Sequence, residues 1–221
     1  MANPVIFPSV RVVKRDAIGL PVALDVAGLS ALVIGGGPIA LDKTTRLLDG
    51  EADVTVIASH PEPALESLRA VGRITLWRRP LTDEDVTAAD LVLLCERDAD
   101  LSRRVSSLCM SSGGALWAED DPAISHFAMP ALARLGRARV AITTGGASPA
   151  LASRVRQAIE RDLDAPFADF VDRLGRARAE ILESEPDRDR RAERLRRLLD
   201  GFELRLAVTY PAWMARSSTE K

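Results

Sequence analysis

The run Ala31-Leu32-Val33-Ile34-Gly35-Gly36-Gly37-Pro38-Ile39-Ala40 limits what this chain can fold into more than any other stretch. A short β-branched segment stops in three glycines and restarts with helical spacing, which is the sequence form of a strand, a tight turn and a helix. Gly35, Gly37 and Ala40 fit the G-x-G-x-x-G/A spacing. The first glycine allows the turn, the second lets backbone approach a diphosphate, and a small third residue lets helix pack on strand. The helix N-terminus offers unpaired N–H groups and positive dipole charge to an anion. Gly35, Gly36, Gly37, Pro38, Ile39 and Ala40 are therefore candidate cofactor-binding residues.

The flanking sequence completes one βαβ unit, with a strand expected over residues 30–34, a helix over 39–48 and a second strand over 54–58. Ala58 and Ser59 follow that strand, where a dinucleotide ribose is contacted. Ala58-Ser59-His60 contains neither the acid of an NAD site nor an arginine for an NADP phosphate. Further along, a helix is expected at 61–71, a helix start with a capping residue at Thr82 to Asp85, and strands at 74–77, 91–95 and 115–118. A helix over 101–110 is expected with Asp100 as its cap. Leu20 to Asp25 reads as an edge segment, and residues 1–13 as an extended lead-in. This alternation specifies α/β architecture with a parallel sheet.

The rhythm changes near residue 117. Segments 127–135 and 139–144 read as an antiparallel strand pair around Gly136. Helices follow at 148–163, 165–182 and 188–199, with Ser148 as N-cap and Pro149 at the first helical position. Alternating arginines and acids on the last two mark solvated faces with close ion pairs. The tail past Val208 reads as loosely ordered. The expected organisation is thus a Rossmann-type domain over 1–116, a small strand-containing region over 117–148 and a helical domain over 149–221.

Composition narrows function by exclusion. A net charge of −2 in 221 residues provides no global attraction for nucleic acid or an anionic membrane. No apolar run approaches the ~18 residues of a membrane span, and the N-terminus lacks a secretory apolar region, so a cytoplasmic location is expected. Cys95 and Cys109 match no metal or redox spacing and read as core thiols; no metal site is expected.

Two further segments can carry chemistry. Glu119-Asp120-Asp121-Pro122 places acids at a strand's carboxyl end, where ligands bind in open α/β sheets. Thr143-Thr144-Gly145-Gly146-Ala147-Ser148-Pro149 is a second glycine-rich turn feeding a helix N-terminus, able to receive a carboxylate or phosphate. Read alone, the first is equally a solvated Asp-Pro turn and the second a hairpin exit with a helix cap. His126 and Trp117 read as packing residues or, alternatively, as contacts for a metal and a planar ligand.

Taken together, these blocks resemble the siroheme synthase N-terminal family, the NAD-dependent precorrin-2 dehydrogenases that in several members also act as sirohydrochlorin ferrochelatases. The likeness is carried by Leu20-Pro21 through Asp25, the Gly35–Gly37 turn with Ala40 and Lys43, residues 54–58, Asp120-Asp121-Pro122 with Phe127 and Pro130, and Thr144 through Pro149 with Leu151, Ala152 and Arg156. It implies a Rossmann domain, an intertwined dimerisation region, a helical C-terminal domain and a homodimer. It also implies NAD as cofactor, precorrin-2 as tetrapyrrole substrate, and Fe²⁺ as a further substrate where chelation occurs. Asp120 aligns with the catalytic aspartate, and Thr144, Gly145, Gly146, Ser148 and Arg156 become substrate-binding candidates. The chain departs from the family pattern at Trp117, Glu119, Glu96, Arg97 and Ser153. A noncatalytic dinucleotide- or tetrapyrrole-binding scaffold of the same fold is the alternative.

Overall fold

The structure, a computed structural model, describes residues 20–216, so the lead-in expected over 1–13 lies outside it. The chain forms two compact units. One contains residues 20–131 and 143–152, and the other Leu132–Ile142 with residues 153–216.

The first unit is built on five parallel strands in the order β3-β2-β1-β4-β5. These are β1 (Ser30–Ile34), β2 (Asp53–Ile57), β3 (Thr75–Trp77), β4 (Leu91–Leu94) and β5 (Ala115–Ala118). β1 and β4 read as uninterrupted apolar runs because helices cover both sheet faces. Val33, Val56 and Leu93 face one side, where they pack with Ala40 and Leu47 of α1 (Pro38–Asp49) and Leu65 of α2 (Pro63–Ala70). Leu32, Val92 and Leu116 face the other, against Val86 of α3 (Asp83–Thr87) and Val105 and Cys109 of α4 (Ala99–Ser112). The β1–β4 register is pinned where Asp90 accepts from both the Ser30 N–H, at 2.9 Å, and the Ser30 hydroxyl, at 2.8 Å.

Helix ends follow local chemistry, with one correction. Thr82 and Asp85 form the expected capping box, and Arg79 grips the Asp85 carboxylate with two 2.7 Å bonds. That grip, helped by Thr82 and opposed by burial, holds Asp85 well below the usual carboxylate range. α4, however, is capped by Asp98, which accepts from the Leu101 N–H at 2.8 Å; Asp100 lies inside the first turn and pairs with Arg103. The helix starts earlier than expected because Asp98 lies three residues before an available N–H, the spacing an N-cap requires.

Three other expectations change. Residues 20–25 form no strand, since Pro21 lacks a ladder donor and β1 already has neighbours on both sides. Residues 127–130 are a strap instead of a strand start: Pro130 cannot donate, while Phe127 and Met129 pack on the α1 side of the sheet. Arg46 of α1 donates to the Pro130 carbonyl at 2.9 Å and ties the strap down. Past Val208, Ala212–Arg216 forms a short helix, α8.

The second unit contains most of a two-stranded sheet, β6 (Ala131–Leu135) and β7 (Ala138–Ile142). Their two-residue connection makes them antiparallel. Gly136 turns the hairpin at φ +61°, and a Cβ there would lie 2.9 Å from the Ala168 Cβ, so glycine is required twice over. Three helices follow, α5 (Pro149–Asp162), α6 (Ala165–Ser184) and α7 (Arg188–Arg197). The Phe202 ring stacks on Phe170 with centroids 5.3 Å apart.

Candidate functional site

The residues of the glycine turn, Ala58 and Ser59, and the acids of 119–121 lie at the carboxyl ends of β1, β2 and β5. Strand order reverses between β1 and β4, the topological switch point at which open α/β sheets bind ligands. The three glycines there have distinct duties. Gly35 is left-handed at φ +123°, and a Cβ on it would come 3.1 Å from the Glu96 Cγ and 3.3 Å from the Cys95 Cβ. Gly36 allows the β2 loop to close over the turn: its Cβ would lie 2.5 Å from the His60 carbonyl oxygen, and its own carbonyl accepts from the Glu62 N–H at 2.8 Å. Gly37 is exposed with open space around it and caps α1 without any side chain.

This arrangement fits a dinucleotide diphosphate. Open space at Gly37 lets backbone and helix dipole meet the phosphates, and Ala40, fully buried, lets α1 lie close on the sheet. Pro38 and Ile39 are exposed in the first turn of α1. Beyond β2, Ala58 is buried and its N–H donates to Trp77, which leaves Ser59 and His60 as the exposed groups near a ribose.

At the end of β5 the acids diverge. Asp120 is exposed and held at φ +54°, a left-handed conformation uncommon for a residue with a side chain. Glu119 beside it is mostly buried, with 13% of its side chain exposed. Arg97, following β4, ion-pairs with both, meeting Glu119 at 3.3 Å and Asp120 more closely. Asp121 shapes the turn, its carboxylate accepting from the Ala123 N–H at 3.1 Å and its carbonyl from the Ser125 hydroxyl at 2.8 Å.

Ser125 and His126 have a role that sequence reading missed: they take the place of a sixth strand along β5. The Ser125 hydroxyl accepts from the Ala118 N–H at 2.9 Å. His126 donates its N–H to the Leu116 carbonyl at 2.7 Å, and its Nδ1 accepts from the Leu116 N–H at 3.1 Å. Because a backbone N–H can only donate, Nδ1 is unprotonated here. Burial lowers the His126 pKa, with a hydrogen bond to Gly114 opposing it. No spacing rule signals a histidine that completes a strand edge.

Trp117 is half-buried against the α1 side of the core, with the Lys43 ammonium 4.6 Å from its ring centre. Lys43 also meets Asp42 at 3.0 Å. Burial raises the Asp42 pKa, but Lys43 and Arg46 together outweigh it and leave the carboxyl below its ordinary value. Burial pushes the Cys95 thiol up to about 12, despite nearby Lys43, and the Cys109 thiol likewise to about 12. Neither is a thiolate near neutrality.

The Thr144 turn lies in the first unit. Gly145 and Gly146 are left-handed at φ +61° and +85° with open space beside both. The Thr144 hydroxyl accepts from the Ser148 N–H at 3.0 Å, and the Ser148 hydroxyl caps α5 by accepting from the Leu151 N–H at 3.1 Å. Arg156 lies in the second unit, half-buried and ion-paired with Glu160 one helical turn on. Among the described residues, no three histidine, cysteine or acidic side chains gather as a metal site.

Residues 22–131 match the family model described as putative NAD(P)-binding, and residues 140–162 match that of the sirohaem biosynthesis protein central region. The chain is 33% identical to the siroheme synthase of Thioalkalivibrio sulfidiphilus over 201 residues, covering 91% of this chain and 41% of that protein. It is 35% identical to the siroheme synthase of Gluconacetobacter diazotrophicus over 185 residues, covering 82% of this chain and 39% of that protein. The chain thus spans about two fifths of the length of these relatives. Among solved structures, SirC, precorrin-2 dehydrogenase, superposes with a TM-score of 0.73 at 24% identity, covering 83% of this chain and 90% of that one, and so shares the fold. With both sequence blocks matched in order and the relatives aligned across them, the chain belongs to the siroheme synthase N-terminal family.

Proposed function

We propose that this protein oxidises precorrin-2 to sirohydrochlorin with NAD⁺ as hydride acceptor. The observation that carries the reading is the meeting of an open diphosphate turn at Gly37 with an acidic pair at the end of β5, on one sheet edge of a chain from this family. Bound at that edge, a nicotinamide dinucleotide accepts the hydride leaving the macrocycle. Gly37 and the N-terminus of α1 hold its diphosphate, and Ser59 contacts its ribose. Asp120, exposed and held by Arg97, takes the proton released as the macrocycle is oxidised. Thr144, Gly145, Gly146, Ser148 and Arg156 receive carboxylates of the substrate through backbone N–H groups, a hydroxyl and a guanidinium.

The same reading includes a homodimer in the cytoplasm, a chelation step with Fe²⁺ as substrate, and a functional division into a cofactor domain over 1–116, a dimerisation region over 117–148 and a helical domain over 149–221. The free thiols Cys95 and Cys109 suit a reducing compartment.

The test is an anaerobic assay of precorrin-2 oxidation with NAD⁺ and, separately, NADP⁺, following NADH absorbance and the sirohydrochlorin spectrum. The Asp120→Asn variant is expected to lose roughly 10²–10⁴-fold in kcat, the usual contribution of a positioned base, with NADH affinity retained. An unchanged kcat in that variant overturns the assignment of Asp120. One observation favours the scaffold alternative: the Asp120 carboxylate is already engaged by Arg97. Tight NADH or tetrapyrrole binding without turnover by the native chain decides for that alternative.

A further inference from the structure

The second unit contains an exposed apolar run without a partner and a sheet of only two strands. Residues 203–210 alternate in sequence with period two and belong to no helix or strand: Leu204, Leu206, Val208 and Tyr210 are 50%, 66%, 70% and 65% exposed. Glu203 and Arg205 occupy the alternate positions and pair at 2.8 Å. Gly201, left-handed at φ +83°, precedes the run, and Pro211, which cannot donate to a ladder, ends it. No backbone hydrogen bond joins the run to a strand among the described residues. In the same unit, the β6–β7 sheet has only two strands, an arrangement marginal in water without further cover. Ala133 and Leu135 of β6 are buried, whereas Val140 and Ile142 of β7 are only half covered. Neither strand has a further neighbour among the described residues, and the side chains of β7 are the less covered.

We propose that residues 203–210 add as a third strand beside β7 of a second copy of this chain, exchanged reciprocally between the two copies. The inference rests on the dimer reading above and names the segment that makes it. Within one chain the run leaves the Phe170–Phe202 stack and pairs with neither hairpin edge, so both half-sites are open at once. The areas agree. Each run carries on the order of 450 Å² of exposed apolar side chain, and a comparable area of hairpin would be covered, so two exchanges bury on the order of 1,800 Å², the size of a stable interface. An antiparallel register with Ala207 opposite Ala141 sets Leu206 against Ile142 and Val208 against Val140, and places Thr209 rather than Arg205 opposite Arg139, so no like charges meet.

Site-specific crosslinking tests this in the full chain. Ala141→Cys is introduced in one tagged population and Ala207→Cys in an untagged one, both on the exposed face opposite the apolar contacts. After subunit exchange and treatment with a short bis-maleimide, a tagged–untagged product is expected at least 10-fold above the background of the native chain. That background is low because Cys95 and Cys109 are protonated thiols. Leu206→Asp with Val208→Asp is expected to raise the dimer dissociation constant at least 10-fold in sedimentation. A dimer that gives no 141–207 product, or only 207–207 product, overturns the exchange while the dimer reading stands. A monomeric double-cysteine chain that crosslinks internally places the run on its own hairpin and overturns it too. A native chain that sediments as a monomer overturns both.

Discussion

Asp120 brings two costs to its position, a left-handed backbone and an exposed charge, and neither serves the packing of the fold. Aspartate and asparagine tolerate the left-handed region better than other side chains, whereas glycine enters it freely. Asp120→Gly is therefore expected to stabilise the protein by about 0.5–1 kcal/mol, and Asp120→Asn to leave stability nearly unchanged, since an exposed pair with Arg97 contributes little. With Asp120 as the proposed base, both are expected to lose roughly 10²–10⁴-fold in kcat for precorrin-2. Urea unfolding checks the first expectation; a destabilised glycine variant would show that the Arg97 contact holds the turn together. Thr44 presents the opposite case. Its hydroxyl is buried in α1 with no hydrogen-bond partner among the described residues. Thr44→Val removes an unsatisfied polar atom at nearly constant shape, and a gain of about 1 kcal/mol is expected by the same measurement.

The edge of β5 carries a pH dependence that belongs to no single residue. His126 replaces a missing strand only while Nδ1 can accept from Leu116, so protonation breaks the edge it completes. Its folded pKa lies below the ordinary 6.5 because burial disfavours the cation. The unfolded chain therefore binds the proton more readily. The resulting stability is fully present above about pH 6.5 and is lost as pH falls through the folded value. Carboxylates with lowered pKa, such as Asp85 and Asp42, lose their contribution only in a more acidic window. Chemical denaturation between pH 7.5 and 5.5 is expected to show stability falling with a slope of at most about 1.4 kcal/mol per pH unit, and His126→Gln is expected to flatten it. An equal slope in the variant would assign the effect elsewhere. At this same scale the sequence was informative where one local rule decides the outcome. The glycine turn, the apolar runs of β1 and β4, the Thr82 box and the Ser148 cap were all legible, each depending on a spacing of a few residues. The strap at 127–130, the edge made by Ser125 and His126, and the Arg97 link to Glu119 and Asp120 were not, because each joins segments that only the folded sheet brings together.

Across the whole molecule, apolar burial is divided unequally between the two units. Among the described residues, the first unit buries both faces of a five-stranded sheet, whereas the buried apolar side chains of the second are Ala133, Leu135 and Ile181. Its helices carry many exposed ion pairs, such as Arg173–Asp169 and Arg197–Glu193, which are worth little individually in water. So small a fully buried core offsets less of the conformational entropy of three helices and a hairpin than the sheet of the first unit does for its own elements. Under the proposed exchange, association supplies part of the stability of the second unit, and association follows mass action. Hydrogen exchange should accordingly show β1 and β4 amides protected at any protein concentration, and α6, β6 and β7 amides gaining protection as concentration rises. A tenfold rise in protein concentration is expected to slow exchange in the second unit severalfold and to leave the central sheet unchanged. If α6 and β7 are as protected as β1 in dilute solution, the second unit holds itself together and the incomplete hairpin is a stable end in itself.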